Sequence, residues 1–165
     1  MTRNPWRVVC LLTFAFAASA LAEPPVVFLV RHAERADADR KPEKDPDLSE
    51  KGKSRAEALA RELRDAGITA IYTTEYKRTQ ETAAPLARSL GITPAIVPAR
   101  ETAALIRKIK AEAGNALIVA HSNTLSDIAK ALGISATLKI GEADYDDLFI
   151  ILTGARPQLI HLHYR

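Results

Sequence analysis

Two histidines and two arginines occupy positions from which a folded chain could bind and transfer a phosphoryl group. Arg31 and His32 directly follow an apolar run, His121 follows a second one, and Arg78 lies near the start of a helix-like segment. Arginine suits phosphate because its planar fork donates two parallel hydrogen bonds and keeps its charge. A histidine attacks phosphorus only when it is neutral, and neighbouring arginines disfavour the imidazolium form. The four residues therefore indicate phosphoryl-transfer chemistry, in which His121 can donate to the phosphate and stabilise developing charge.

The chain pattern predicts strands that alternate with helices. Strand-like segments, several of them continuously apolar, cover residues 26–30, 70–73, 94–97, 116–120, 147–153 and 158–164. Apolar residues at helical spacing predict helices from the cap Ser49 to Gly67, over 77–90, over 101–113 and over 124–132. This order predicts an α/β three-layer sandwich, a mostly parallel central sheet with helices on both faces. Ligands in such folds bind beyond the carboxyl ends of the strands, so the two histidines should meet at one edge.

Several segments resemble the motifs of the histidine phosphatase superfamily, which includes phosphoglycerate mutases and small phosphohistidine phosphatases. They are Val30-Arg31-His32-Ala33-Glu34, Thr74 with Arg78-Thr79 and Thr82-Ala83, Val119 to Thr124 around His121, and Gly141 to Phe149 near the end. The resemblance implies a phosphoglycerate mutase-like fold and a metal-independent phosphatase without a cofactor. It implies that His32 becomes transiently phosphorylated and that Arg31, Arg78 and His121 bind the phosphate. The substrate would be a phosphorylated small molecule or a phosphoprotein.

Three further residues have two interpretations each. Glu34 follows the first motif and either supports the phosphate site or is a charged surface residue. Asn123 either contacts substrate or caps a helix. Glu101 lies roughly where larger family members carry the glutamate that protonates the leaving group, although a helix start also favours a glutamate. Without such an acid, phosphoramidates would be better substrates than phosphate esters, because their leaving group needs less help from a proton donor.

The N-terminus has the pattern of a secretory signal peptide. Two arginines precede a short apolar run that ends at Ala20-Leu21-Ala22, so we expect a signal peptide over residues 1–22 and a histidine phosphatase domain over 23–165. An uncleaved anchor is the alternative. Cleavage predicts a periplasmic or secreted protein without stable membrane association. It also removes Arg3 and Arg7, so the net charge falls from +3 to +1. Because no block of basic residues stands out, we expect no nucleic-acid partner.

Three functions remain compatible with these features. The first is an exported phosphatase that hydrolyses phosphomonoesters or phosphoramidates through His32. The second is a weak or inactive phosphate-binding module of the same fold. A mutase is the third, and the short chain and the export signal count against it. We expect no metal site, since His161 and His163 share one face of a strand but no third ligand is evident nearby in sequence.

Overall fold

The computed structural model of the chain describes residues 24–36 and 44–165. The predicted signal peptide lies outside this part, as do residues 37–43. In the described residues the strands are β1 (Val26–Arg31), β2 (Ile68–Thr73), β3 (Ala95–Ile96), β4 (Asn115–Ala120), β5 (Asp147–Leu152) and β6 (Gln158–His163). The helices are α1 (Glu50–Leu63), α2 (Lys77–Leu90), α3 (Thr102–Ala111) and α4 (Ser122–Ala131). They are too short and too polar to cross a bilayer.

The six strands form one sheet in the order β3-β2-β4-β1-β5-β6. The first four strands in chain order pair in parallel, whereas β5 pairs antiparallel with both β1 and β6. The carboxyl ends of β1, β2 and β4 therefore meet at one edge. Since β5 runs the opposite way, the segment that leads into β5 arrives at the same edge. The predicted, mostly parallel sheet is confirmed.

Alternating side chains of the buried strands supply two separate cores. Val27 and Leu29 of β1 pack in the core that α3 and α4 cover, while Phe28 and Val30 pack in the core that α1 and α2 cover. The two-residue repeat of a strand explains this division, because successive side chains point to opposite faces. The helices thus lie on both faces of the sheet, which confirms the three-layer prediction.

Some element bounds differ from those that the sequence predicts. Helix α1 ends at Leu63, and Gly67 lies beyond it with a φ of 64° in the turn to β2. Strand β3 has only two residues, Ala95 and Ile96, at the edge of the sheet, where it pairs with the end of β2. Helix α4 begins at Ser122, directly after His121, so the turn into this helix is tighter than expected.

Helix α1 holds the segment that follows His32 in place. Ser49 caps the helix by accepting a hydrogen bond from the backbone N–H of Gly52 at 3.0 Å. Its own backbone N–H donates to the carbonyl of Glu34 at 2.9 Å. Gly52 packs against the backbone of Glu34 so closely that a Cβ at this position would collide with the Glu34 carbonyl oxygen. A side chain at residue 52 would therefore push the two segments apart.

We expect Gly52→Ala to destabilise the protein by roughly 1–3 kcal/mol, because the added methyl group overpacks a contact with backbone atoms that cannot rotate away. Urea unfolding measures the change. Ser54→Ala is the matched control, since Ser54 is an exposed residue of the same helix, and it should change the stability by less than about 0.5 kcal/mol. Equal stability of the two variants would contradict the close approach of α1.

Candidate active site

Arg31, His32, Arg78 and His121 line one cavity of about 720 Å³ at the carboxyl edge of the parallel strands. The rings of the two histidines lie edge to face with centroids 5.4 Å apart. Both imidazoles are buried, His32 to 6% and His121 to 7% exposure. The structure therefore brings together all four residues of the predicted phosphate pocket, from three segments far apart in sequence.

The ring orientation of His32 leaves one particular nitrogen with a free lone pair. Its Nδ1 lies 2.8 Å from the backbone carbonyl of Ala33, and because a carbonyl can only accept, Nδ1 must carry the proton. In the neutral ring, Nε2 then keeps its lone pair. Burial lowers the pKa of His32 to about 3, and the charges of His121, Arg78 and Arg31 add to this effect although the Ala33 hydrogen bond opposes it. His32 is therefore neutral at physiological pH.

His121 is held by a hydroxyl behind it. Its Nε2 lies 3.0 Å from Oγ1 of the buried Thr74, and its Nδ1 lies 3.5 Å from Nη2 of Arg78. Since a guanidinium can only donate, Nδ1 accepts in this arrangement and Nε2 donates to Thr74. Burial lowers the pKa of His121 to about 4, assisted by the charges of Arg78 and Arg31 and opposed by Glu75. Thr74, interpreted from sequence as part of the second motif, thus orients the second imidazole.

Arg31 is positioned by the segment that leads into β5. Its Nη1 donates to the carbonyls of Gly141 at 3.0 Å and Glu142 at 2.9 Å, and its guanidinium stacks on the ring of Tyr145 with 4.2 Å to the centroid. Its Nε is buried and has no hydrogen-bond partner among the described residues. A buried donor without a partner costs free energy, so this position favours an incoming acceptor such as a phosphate oxygen.

Arg78 lies at the start of α2, across the cavity from Arg31. Its guanidinium lies over the ring of Tyr76, 4.3 Å from the centroid, and its Nη1 is 3.7 Å from a carboxylate oxygen of Asp45. The ring of Tyr76 in turn meets the ring of His121 at 88°. Aromatic rings thus restrain both arginines of the cavity, which lowers the entropy lost when they bind an anion.

Glu34 lies outside the cavity lining and holds the His32 loop on α1. Its buried carboxylate receives a forked pair of hydrogen bonds from Arg55, at 2.8 Å from Nε and 2.7 Å from Nη2, and Lys51 lies 3.3 Å away. Burial alone would raise the pKa of Glu34, but the hydrogen bonds and charge of Arg55 outweigh it and lower the pKa. The structure therefore favours the supporting role over direct substrate contact.

Asn123 and Glu101, which also have two interpretations from the sequence, differ in their position relative to the cavity. Asn123 lines the cavity and lies within the first turn of α4, so it does not cap the helix; His121 occupies that capping position. Glu101 is exposed at the cap of α3 and is not among the residues that line the cavity. Its backbone N–H donates to the carbonyl of Pro98 at 2.8 Å. This placement gives Glu101 no direct contact with a bound phosphate.

Sequence reasoning missed Glu75 and Tyr145, which both line the cavity. Glu75 follows the end of β2 by two residues, and its Oε2 accepts a hydrogen bond from the backbone N–H of Ala99 at 2.8 Å. The rule that ligands bind beyond strand ends would have pointed to Glu75, just as it pointed to His32 and His121. Tyr145 had no such signal, because its contact with Arg31 depends on the antiparallel return of β5.

The low pKa of His32 predicts that the folded protein loses stability as the pH falls. Below pH 6.5 the imidazole is protonated in the unfolded chain but stays neutral in the folded one, so acid favours unfolding. Between pH 7 and pH 5, His32 should therefore contribute about 2 kcal/mol to the loss of stability. We expect the stability of His32→Gln to fall by that much less over the same interval, as measured by urea unfolding in phosphate-free buffer. An identical fall in both proteins would mean that His32 titrates normally.

Comparisons with known proteins agree with this fold. The family model of the histidine phosphatase superfamily (branch 1) matches residues 27–101, which carry Arg31, His32 and Arg78. No curated protein sequence matches the chain. The similar solved structures include three of particular relevance, all below 25% identity, so that they inform on the fold.

The first is a mycobacterial glucosyl-3-phosphoglycerate phosphatase complexed with VO3, with 15% identity, a TM-score of 0.69, and coverage of 86% of this chain and 100% of that one. The second is a candidate phosphohistidine phosphatase, SixA, from Agrobacterium tumefaciens, with 21% identity, a TM-score of 0.64, and coverage of 84% and 98%. The third is a protein histidine phosphatase SixA complexed with tungstate, with 13% identity, a TM-score of 0.66, and coverage of 84% and 96%. The chain is thus similar to the histidine phosphatase superfamily over the segment that carries the first two motifs, and it shares its fold with these phosphatase structures.

Proposed function

We propose that the protein is an exported phosphatase that hydrolyses phosphomonoesters or phosphoramidates through a phosphohistidine intermediate on His32. The observation that carries this proposal is the state of the His32 ring, which is neutral and has its Nδ1–H fixed on the Ala33 carbonyl. The lone pair of Nε2 is then available in a cavity where Arg31 has an unpartnered buried donor. The same cavity thus contains a nucleophilic nitrogen and a donor that can bind an anion.

The reaction proceeds in two phosphoryl transfers. Nε2 of His32 attacks phosphorus, the bond from phosphorus to the leaving oxygen or nitrogen breaks, and the leaving group takes up a proton. Water then attacks the phosphohistidine, which releases inorganic phosphate and restores the neutral ring. Arg31 and Arg78 hold the equatorial oxygens and offset their charge in both steps.

His121 stabilises the transferred group once its Nδ1 carries a proton. In the described arrangement Nδ1 accepts from Arg78, but a bound phosphate dianion attracts the guanidinium and raises the pKa of the imidazole. Thr74 is suited to this change, since its hydroxyl can accept from Nε2 when that nitrogen carries a proton and can donate to Nε2 when it does not. His121 then donates from Nδ1 to a phosphate oxygen.

Glu75 is our candidate for the proton transfer to the leaving group, in place of Glu101. It lines the cavity, the hydrogen bond from Ala99 fixes its carboxylate, and its charge reaches His121 strongly enough to oppose the fall in the pKa of that ring. A carboxyl group that lines this cavity could carry a proton to the leaving group. An acid at this place would allow phosphate esters as well as phosphoramidates to react.

The charges at the cavity mouth favour an anionic substrate. Arg35 and Arg100 line the cavity together with Arg31 and Arg78, against the two acidic residues Glu75 and Glu142. This excess of guanidinium groups suits a phosphorylated small molecule or a phosphoprotein segment that carries further negative charge. Export rests on the signal-like pattern of residues 1–22. Sequencing the N-terminus of the protein recovered from cells would test it, with Glu23 as the expected first residue.

Trapping the intermediate tests the proposed function. Wild type quenched during turnover of a ³²P-labelled phosphoramidate should carry label that is stable to alkali and lost in acid, as expected for a phosphorus-nitrogen bond. His32→Ala should show neither label nor turnover, whereas Ser54→Ala, an exposed substitution on α1, should label like wild type.

Two other outcomes would contradict the proposal. Turnover by wild type that never labels would remove His32 as the nucleophile. Binding of phosphate without turnover of p-nitrophenyl phosphate or any phosphoramidate, from pH 4 to pH 9, would favour the alternative of a phosphate-binding module.

We expect Glu75→Gln to slow hydrolysis of an alkyl phosphate by roughly 100-fold, because an alkoxide leaves poorly without a proton, and to slow a phosphoramidate much less. Glu101→Gln is the matched control and should leave both rates within about twofold of wild type, since a group that does not touch the substrate has little effect. Steady-state kcat measured on both substrates gives the answer. A larger loss in Glu101→Gln than in Glu75→Gln would return the acid role to Glu101.

A further inference from the structure

A second group of ligating side chains lies on the β5–β6 hairpin, outside the cavity lining. It consists of Asp147 at the start of β5 and of His161 and His163 on β6, and one ligand atom from each lies within 4.8 Å of the others. The antiparallel register places Asp147 directly opposite His163 and places His161 opposite Phe149, so all three ligands share one face of the sheet. The structure thus supplies the third ligand that the sequence did not reveal.

The carboxylate of Asp147 has an unusual environment for a buried charge. The residue is 4% exposed, and within residues 24–36 and 44–165 its ion-pair partners are His161 and His163, with no lysine or arginine. Its Oδ2 is buried and accepts no hydrogen bond from a described residue. A buried carboxylate needs a compensating cation, and an oxygen without a partner has a free coordination position.

The two imidazoles lie beside the other oxygen of this carboxylate, Oδ1. Nε2 of His161 lies 2.6 Å and Nδ1 of His163 lies 3.4 Å from Oδ1 of Asp147. Zinc bonds of about 2.1 Å at tetrahedral angles separate ligand atoms by about 3.4 Å, so the second distance already fits and the first must open by less than about 1 Å. The His161 ring can make that small movement because its side chain is 41% exposed.

Neighbouring groups restrain the ligands and leave an entry path. The ring of His161 stacks on Phe149 with centroids 4.5 Å apart, which limits its rotation. Asp146 adds a carboxylate oxygen 3.6 Å from Nδ1 of His163 and so increases the attraction for a cation. The His163 side chain is 56% exposed, so solvent reaches the ligand atoms and water can complete the coordination.

We propose that Asp147, His161 and His163 bind a divalent transition metal of the zinc class. Two imidazole nitrogens and one carboxylate oxygen suit Zn²⁺ and its neighbours, whereas Mg²⁺ and Ca²⁺ prefer sites made entirely of oxygen. The site lies beside the segment that holds Arg31, since Tyr145 and Asp147 are two residues apart. It is nonetheless separate from the phosphate cavity, because none of its three ligands lines that cavity.

Calorimetric titration of the chelator-treated protein with Zn²⁺ tests the proposal, in phosphate-free buffer and without a polyhistidine tag. Wild type should bind one Zn²⁺ per chain. His161→Ala and His163→Ala each remove an exposed ligand and should weaken binding at least roughly tenfold, as the loss of a metal-supporting group does. Gln158→Ala, on the same strand, is the matched control and should bind like wild type. Binding should also raise the Tm of wild type and not that of the two histidine variants.

A further variant separates this site from the cavity. His121→Ala removes an imidazole from the phosphate pocket and should leave the one-to-one titration in place. Three results would overturn the proposal. They are a wild type that does not bind one Zn²⁺ per chain, an affinity of His161→Ala and His163→Ala for Zn²⁺ equal to that of wild type, and a loss of Zn²⁺ binding in His121→Ala. The last would assign the metal to the cavity.

Discussion

The burial of two imidazoles beside two guanidinium groups is the constraint on which the rest of this site depends. Burial and positive charge both disfavour protonation, so the pKa of His32 falls to about 3 and that of His121 to about 4. The same positive charges that would attract a phosphate therefore keep both imidazoles neutral. In the proposed reaction, one electrostatic effect would both bind the substrate and activate His32.

The fold satisfies this constraint by concentrating polar groups at a single edge of an otherwise apolar sheet. Parallel β1, β2 and β4 end there, and the antiparallel β5 brings Tyr145 and the carbonyls of 141 and 142 to the same place, where they hold Arg31. Glu34 and Arg55 clamp the loop after His32 to α1 from the other side. The two histidines, the two arginines and the groups that support them thus come from separate parts of the chain.

Much of this arrangement could be predicted because it follows from local pattern. Apolar runs fix the strands, their two-residue repeat fixes both cores, and strand ends identify His32 and His121. The direction in which a loop turns has no such pattern, so the sequence offered Glu101 as a candidate acid with a helix-start role as its alternative, whereas Glu75 lines the cavity. Asp147 was missed because its contact with the histidines depends on hairpin register. The turn at 154–157 brings residues near 147 opposite residues near 163. Pairing the two strands outward from this turn therefore predicts that Asp147 lies opposite His163.

A crystal structure with vanadate bound tests the central claim most directly, because vanadate adopts the five-coordinate geometry of phosphoryl transfer. Our account predicts vanadium bonded to Nε2 of His32, at about 2 Å as for other metal-imidazole bonds. Its oxygens should receive hydrogen bonds from Arg31, Arg78 and Nδ1 of His121. Vanadate held at the mouth by Arg35 and Arg100, without a bond to His32, would contradict the account.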